Sequence, residues 1–247
     1  MTRCFFVSDL HGKIDRYQKL FDTILRDKPQ AVFFGGDLLP HGFLSAQSKS
    51  NFVLDFLAVE FDRLQTRLAS DYPRVFLILG NDDARIEETA VFEAEQRGIW
   101  EYIHNRKVGI GNFAVYGYAC VPPTPFQLKD WERYDVSRFV DPGSISPEEG
   151  RRTVAVSARE MKYATIQKDL QRLIGTDPLE QARDGLRLVQ RRQNDADFPY
   201  HAPAGRGRPA PPRAPFPYRH AGREMLLFLD SGTLRRQLPV GLHNLLI

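Results

Sequence analysis

Short apolar runs alternate with amphipathic stretches along the first hundred residues. Arg3-Cys4-Phe5-Phe6-Val7, Ala31-Val32-Phe33-Phe34-Gly35 and Val75-Phe76-Leu77-Ile78-Leu79 combine aromatic and β-branched residues, as strands buried on both faces do. Between them, Ile14, Tyr17, Leu20, Phe21, Ile24 and Leu25 recur at steps that predict a helix over Lys13–Arg26, stopped before Pro29. Val53, Phe56, Leu57, Phe61, Leu64 and Leu68 predict a second helix over Asn51–Leu68, and a third is expected near Arg85–Arg97. Strands separated by helices imply a parallel sheet, so their carboxyl ends share one edge. Ligands of open α/β sheets bind at that edge.

Further along, Ile99–Ile103 and Lys107–Cys120 read as strands, the latter broken by a turn at Gly109, Gly111 and Asn112. Val121-Pro122-Pro123-Thr124-Pro125-Phe126 is too proline-rich for a central strand and predicts an ordered loop leading into Leu128-Lys129-Asp130-Trp131-Glu132. Val154–Ile174 and Pro178–Arg192 read as helices, charged on one side and without evident chemistry.

The chemistry sits just after the three apolar runs. The first leads into Ser8-Asp9-Leu10-His11-Gly12, the second into Gly36-Asp37 and the third into Gly80-Asn81-Asp82-Asp83. In a segment that is still extended, Asp9 and His11 face the same way and converge on one point. A carboxylate and an imidazole together suit an ion of intermediate hardness such as Mn, Fe or Zn. Taken singly, Asp9 is equally a helix cap and His11 a loop residue. Three strand ends bringing Asp, His and Asn to one crevice make coincidence a poor explanation.

The ordered set Asp9-x-His11, Gly36-Asp37, Gly80-Asn81-Asp82-Asp83 resembles the calcineurin-like metallophosphoesterases over roughly residues 1–200. The resemblance implies an α/β fold, a metallophosphoesterase-type β-sandwich flanked by helices, with an atypical C-terminus that lacks its closing strands. It implies metal-dependent hydrolysis of phosphomonoesters or phosphodiesters by water activated between two divalent ions. Asp37 would be shared by both ions, Asp9 and His11 would hold the first, and Asn81 and His201 the second. The substrate would be a phosphorylated small molecule or a nucleotide. In some bacterial members a loop worded like Leu128–Glu132 flanks the active site, which suggests a substrate-rim role; plain surface structure is the simpler expectation.

The chain departs from the family pattern in two places. After Gly-Asn the family carries a His that contacts phosphate or protonates the leaving group; here the position is Asp82. An ionised carboxylate beside two cations is a poor proton donor, so Asp82 as the catalytic position predicts slow turnover or esters whose leaving groups need no proton. His41 is the candidate substitute in contact with substrate, although an ordinary loop residue is the simpler reading. The family's C-terminal Gly-His-x-His is missing, and His220 and His243 stand alone. Each ion then keeps few protein ligands, which predicts weak metal binding and impaired activity. A non-catalytic protein-interaction module on the same fold is the rival reading.

Composition changes this picture mainly at the C-terminus. In 247 residues the net charge is +3, but residues 202–247 hold seven Arg against Glu224 and Asp230, leaving the body slightly acidic. Residues 1–201 therefore read as the metallophosphoesterase-like domain and 202–247 as a Pro/Arg-rich tail, extended from Pro203 to Pro217. Met225–Leu229 and Leu238–Ile247 are apolar enough for a strand or a docking element. A divergent sequence and a changed reading frame in a GC-rich gene both fit this composition. The tail has few aromatics to stack on bases, so nucleic-acid binding is not expected. No apolar stretch reaches membrane-span length, no signal-peptide pattern precedes the first strand, and Cys4 and Cys120 read as buried thiols. A cytoplasmic protein is expected, with its oligomeric state open.

Overall fold

The computed structural model describes residues 3–41, 51–111 and 113–174, together with the backbone of Glu224–Phe228 and His243–Asn244. Strands β1 (Cys4–Val7), β2 (Ala31–Gly35), β3 (Arg74–Ile78) and β4 (Glu101–Tyr102) form a parallel sheet, as the apolar runs predicted. Every residue of β2 is buried, which explains why its sequence shows no polar alternation. Helix α1 (Ile14–Asp27) follows β1 and buries Tyr17, Leu20, Phe21 and Ile24, while Ile14 on its first turn stays exposed. Helix α2 (Ala58–Leu68) is entered through a π-helical turn at Val53–Leu57. Helix α3 (Glu88–Gln96) is entered through a 3-10 turn at Arg85–Glu87. The core joins sheet to helices through aromatic contacts: Phe33 stacks on Phe76, and Phe61 meets Phe21, Phe34 and Trp100 edge-on.

A second sheet contains the antiparallel hairpin of β5 (Arg106–Ile110) and β6 (Phe113–Tyr118), turning where Gly111 was expected to turn it. The C-terminal apolar stretches supply further strands. β7 (Glu224–Phe228) pairs parallel with β6, and β8 (His243–Asn244) pairs parallel with β1. The expectation of missing closing strands is therefore corrected: both sheets take a strand from the tail. The single helix expected over Val154–Ile174 is two, α4 (Ala158–Tyr163) and α5 (Ile166–Ile174). Ala164 is extended between them, and the backbone there bridges to Tyr134. The helix expected at Pro178–Arg192 and the strand expected before His201 lie outside the described residues.

The rim expectation for Leu128–Glu132 is also corrected. Lys129, Asp130, Trp131 and Glu132 are all buried, Lys129 and Glu132 completely at the side chain. A charged run reads as surface because burying a lone charge is costly; here each charge is matched. Lys129 donates to Glu132 and to the Thr124 carbonyl, and Glu132 also accepts from the Thr124 amide and hydroxyl. The Asp130 carboxylate accepts the N–H groups of Arg85 and Thr153. Burial holds the Lys129 ammonium below its usual range and the Glu132 carboxyl above its own. The pair specifies how this loop packs more than it adds net stability.

The two sheets join at residues 103–105. Ile103 N–H donates to the Leu77 carbonyl at 2.9 Å, and Asn105 N–H to the Gly117 carbonyl at 2.8 Å. The Ala119 N–H donates to His104 Nδ1 at 3.0 Å, and the imidazole packs among Tyr102, Tyr118 and Trp131. A backbone N–H can only donate, so Nδ1 must stay unprotonated. Burial, aided by the positive charges of Arg85 and Arg133, pushes the His104 pKa down to about 3. An unfolded His titrates near ~6.5, so between the two values the unfolded chain binds the extra proton. Stability falls as pH drops below that upper value, by up to about 1.4 kcal/mol per pH unit. Urea denaturation between pH 6 and pH 4 should show this slope, and His104→Gln should flatten it. An unchanged slope in the variant would assign the acid sensitivity to other groups.

Candidate metal centre

The site is built where the loops after β1, β2 and β3 are sewn together. The first seam is backbone to backbone. Asp9, His11 and Gly12 donate their N–H groups to the carbonyls of Gly36, Asp37 and Leu38 at 3.1, 2.9 and 2.8 Å. The second seam is the Asp83 carboxylate, which is fully buried and accepts the N–H groups of Leu38, Leu39 and Gly80 at 3.0, 2.7 and 2.8 Å. The Asp82 N–H adds a bond to Asp37 Oδ1 at 3.0 Å. Trp131 closes the back by donating its indole N–H to the Asp83 carbonyl at 2.9 Å. Gly80 is required by this packing: a Cβ there would collide with the Asp37 carboxylate and backbone nitrogen. Gly12, at φ +64°, lies against Pro40, whose Cγ would meet a Cβ at 2.6 Å.

These seams hold Asp9, His11 and Asp37 at φ values of 60°, 49° and 52°. The left-handed region is sterically poor for residues with a Cβ, at a cost of order 1–3 kcal/mol each. The expectation that Asp9 and His11 converge because the chain is still extended is therefore corrected. The strand ends at Val7, and the two side chains converge because successive left-handed turns fold the loop over β2. One ligand-capable atom from each of Asp9, His11 and Asp37 lies within 4.8 Å of the others.

The surroundings tune these groups. His11 turns Nε2 towards Asp9 Oδ1 at 3.9 Å and Nδ1 towards Asp82 Oδ2 at 3.2 Å. The Asp82 bond, with support from the Asp37 and Asp9 charges and against the effect of burial, raises the His11 pKa. Ser8 donates to Asp9 Oδ2 at 2.5 Å, and Arg16 donates to the Asp9 carbonyl at 2.5 Å. Asp37 is buried, and burial together with the charges of Asp9 and Asp82 lifts its carboxyl above the usual range, despite the Asp82 N–H and His11. Burial and the Asp37 charge push Asp83 up to about 7, despite its three N–H donors. Burial also opposes ionisation of Asp82, but hydrogen bonds from His11 and His41 outweigh it and leave this carboxyl below its ordinary range.

The donor set fits a divalent cation. It mixes carboxylate oxygen with imidazole nitrogen, and its repelling carboxylates are stabilised by positive charge. The other expected residues are placed as follows. Asn81 is half-buried in the turn between Gly80 and Asp82. His41 is exposed and bonded to Asp82 rather than free in its loop. His201 lies outside the described residues. Sequence reasoning did not find the buried clamp at Asp83; the Asp82-Asp83 doublet after Gly-Asn was the available signal.

The Metallophos model, described as calcineurin-like phosphoesterase, matches residues 2–160. The chain belongs to this family. Calcineurin-like phosphoesterases are in general metal-dependent, and Asp9, His11 and Asp37 form a possible metal site among the described residues of this member. No curated protein sequence matches the chain. Among solved structures, one at 19% identity and a TM-score of 0.32 covers 46% of this chain, which spans about half (51%) of that structure. Another, TT1561 of Thermus thermophilus, is 12% identical with a TM-score of 0.34, covering 70% of this chain and 76% of its own. Among the described residues, no helix is long and apolar enough to cross a membrane.

Removing the Asp83 clamp should expose its importance to the phosphoesterase fold. Asp83→Ala strips three buried N–H donors of their acceptor, which predicts a loss of about 3–5 kcal/mol in urea denaturation. A loss below about 1 kcal/mol would show that these amides find other partners.

Proposed function

We propose that this chain is a metal-dependent phosphohydrolase acting on phosphomonoesters or phosphodiesters of small molecules or nucleotides. One observation carries the reading: Asp9, His11 and Asp37 are held together by strained left-handed backbone at the carboxyl edge of a parallel sheet. Strain of this kind persists only where the surrounding structure over-determines it, and it clusters at functional sites. Asp9 and His11 would hold one ion, Asp37 would be shared, and Asn81 and His201 would serve a second. Bound divalent ions supply Lewis-acid stabilisation to a phosphoryl group and activate water as the nucleophile.

The chain's own residues set how well that chemistry proceeds. The bond from Nδ1 to Asp82 fixes the His11 ring with Nε2 towards Asp9, as outer carboxylates commonly fix imidazole ligands. Asp37 is held by the Asp82 N–H and by the close approach of Gly80, so its carboxylate has little freedom to turn away. Asn81 offers an oxygen donor without adding negative charge, which leaves the centre attractive to an anionic ester. Asp82 is kept ionised by two imidazoles and offers no proton to a leaving group.

Hydrolysis of p-nitrophenyl phosphate and bis(p-nitrophenyl) phosphate in manganese tests the reading. Activity should vanish with a chelator, return with the metal, and fall at least about 100-fold in Asp37→Asn, since it depends on the bound ion. Alkyl phosphates should turn over far more slowly than aryl phosphates, because the leaving alkoxide lacks a proton donor. Equal aryl and alkyl rates would contradict the role given to Asp82. Metal binding without hydrolysis of either ester class would favour the interaction-module reading.

A further inference from the structure

The Asp82 carboxylate serves two histidines. Its Oδ2 lies 3.2 Å from His11 Nδ1 and 2.7 Å from His41 Nδ1, and Oδ1 lies 3.0 Å from His41 Nδ1. An ionised carboxylate only accepts, so both rings carry a hydrogen on Nδ1. When each ring is neutral, its Nε2 keeps a free lone pair. For His11 that nitrogen faces Asp9 and the candidate centre. His41 is oriented by the same carboxylate, is 70% exposed at its side chain, and its ring centre is 5.9 Å from that of His11.

We propose that His41 is an additional metal ligand of this centre, binding through Nε2, with Asp82 orienting both imidazoles. The proposal rests on the metal-centre reading above and adds a nitrogen where the sequence lacks Gly-His-x-His. Nitrogens on one ion lie at most about 4 Å apart, because each bond is about 2 Å. A ring centre lies about 1 Å behind its nitrogen, so imidazoles on one ion and imidazoles on ions about 3.5–4 Å apart both allow ring centres about 6 Å apart. Ring centres at 5.9 Å therefore put the two imidazoles within reach of one metal centre. A carboxylate behind a ligating imidazole raises its basicity and fixes its tautomer, and a single carboxylate here performs that task twice. This gives Asp82 a use that the family's His could not fill: a second imidazole at that position would bring no negative charge to hold two N–H donors.

Calorimetric titration of the metal-free full chain with manganese chloride tests the proposal. The wild type should bind two ions. His41→Ala and His41→Gln should weaken one of them by at least about tenfold, the lower end of what loss of an outer partner alone costs. The other site should stay unchanged. In the cobalt-loaded protein, proton spectra should show an exchangeable, strongly shifted Nδ1–H resonance that is absent from His41→Ala. His41 is exposed, so its variants should fold, which circular dichroism checks. Two sites of wild-type affinity in both variants would overturn the role of His41 while leaving the metal centre standing. No manganese binding by the wild type would overturn the metal-centre reading and this proposal together. A change in KM for phosphate esters with unaltered metal binding would place His41 on substrate instead, and would also overturn it.

Discussion

A single buried carboxylate sets the geometry on which the rest depends. Asp83 accepts N–H groups from the loop after β2 and from the loop after β3, fixing how these two loops lie beyond the paired ends of their strands. A carboxylate with that many amide donors ordinarily ionises more easily than a free one. Here the opposite holds, and Asp83 is pushed up to about 7 by burial and by the charge of Asp37. The sign shows which effect wins: placing the clamp in the core beside a second carboxylate outweighs three good hydrogen bonds. A cation at Asp37 would lower that burden on both carboxylates, so clamp and candidate metal centre would share one electrostatic balance.

The same clamp explains the strain next door. With Leu38 and Leu39 tied to Asp83, the β2 loop presents the carbonyls of Gly36, Asp37 and Leu38 in a fixed row. The β1 loop can bond to all three only by turning left-handed at Asp9 and again at His11. Three amide–carbonyl bonds, each worth about 1 kcal/mol net, are comparable with the steric cost of those turns. The convergence of Asp9, His11 and Asp37 is thus a consequence of backbone pairing, and it exists before any ion is considered.

Much of this was legible in the residues, and the failures have a common cause. The strands β1, β2 and β3 were readable because burial on both faces leaves uninterrupted apolar runs, and the candidate metal-site residues follow directly on them. What could not be read was any feature in which a polar group is buried because something distant matches it. Lys129 and Glu132 satisfy each other inside the protein, yet along the chain they look like a solvated face. Asp83 looks like one more acid in a turn, because two of its three donors, Leu38 and Leu39, lie on another loop. The left-handed φ of Asp9 and His11 is equally invisible, since neither residue is a glycine that would announce the turn.

Replacement of the family's His by Asp82 alters the local charge without simply adding repulsion. A bare carboxylate at this point would compete with phosphate for the cations and push the ester away. Its hydrogen bonds to His11 and His41 turn that charge inward and spend it on two N–H groups. On the proposed reading the carboxylate would then contribute to affinity for the ions rather than oppose the substrate, and the loss would fall on proton donation alone. On the proposed reading, a chain that lacks the leaving-group acid while keeping Asp9, His11, Asp37 and Asn81 would cleave a narrower range of esters quickly. The candidate metal-binding residues would remain, and the strained turns at Asp9, His11 and Asp37 would be a needless cost in a fold that no longer used them.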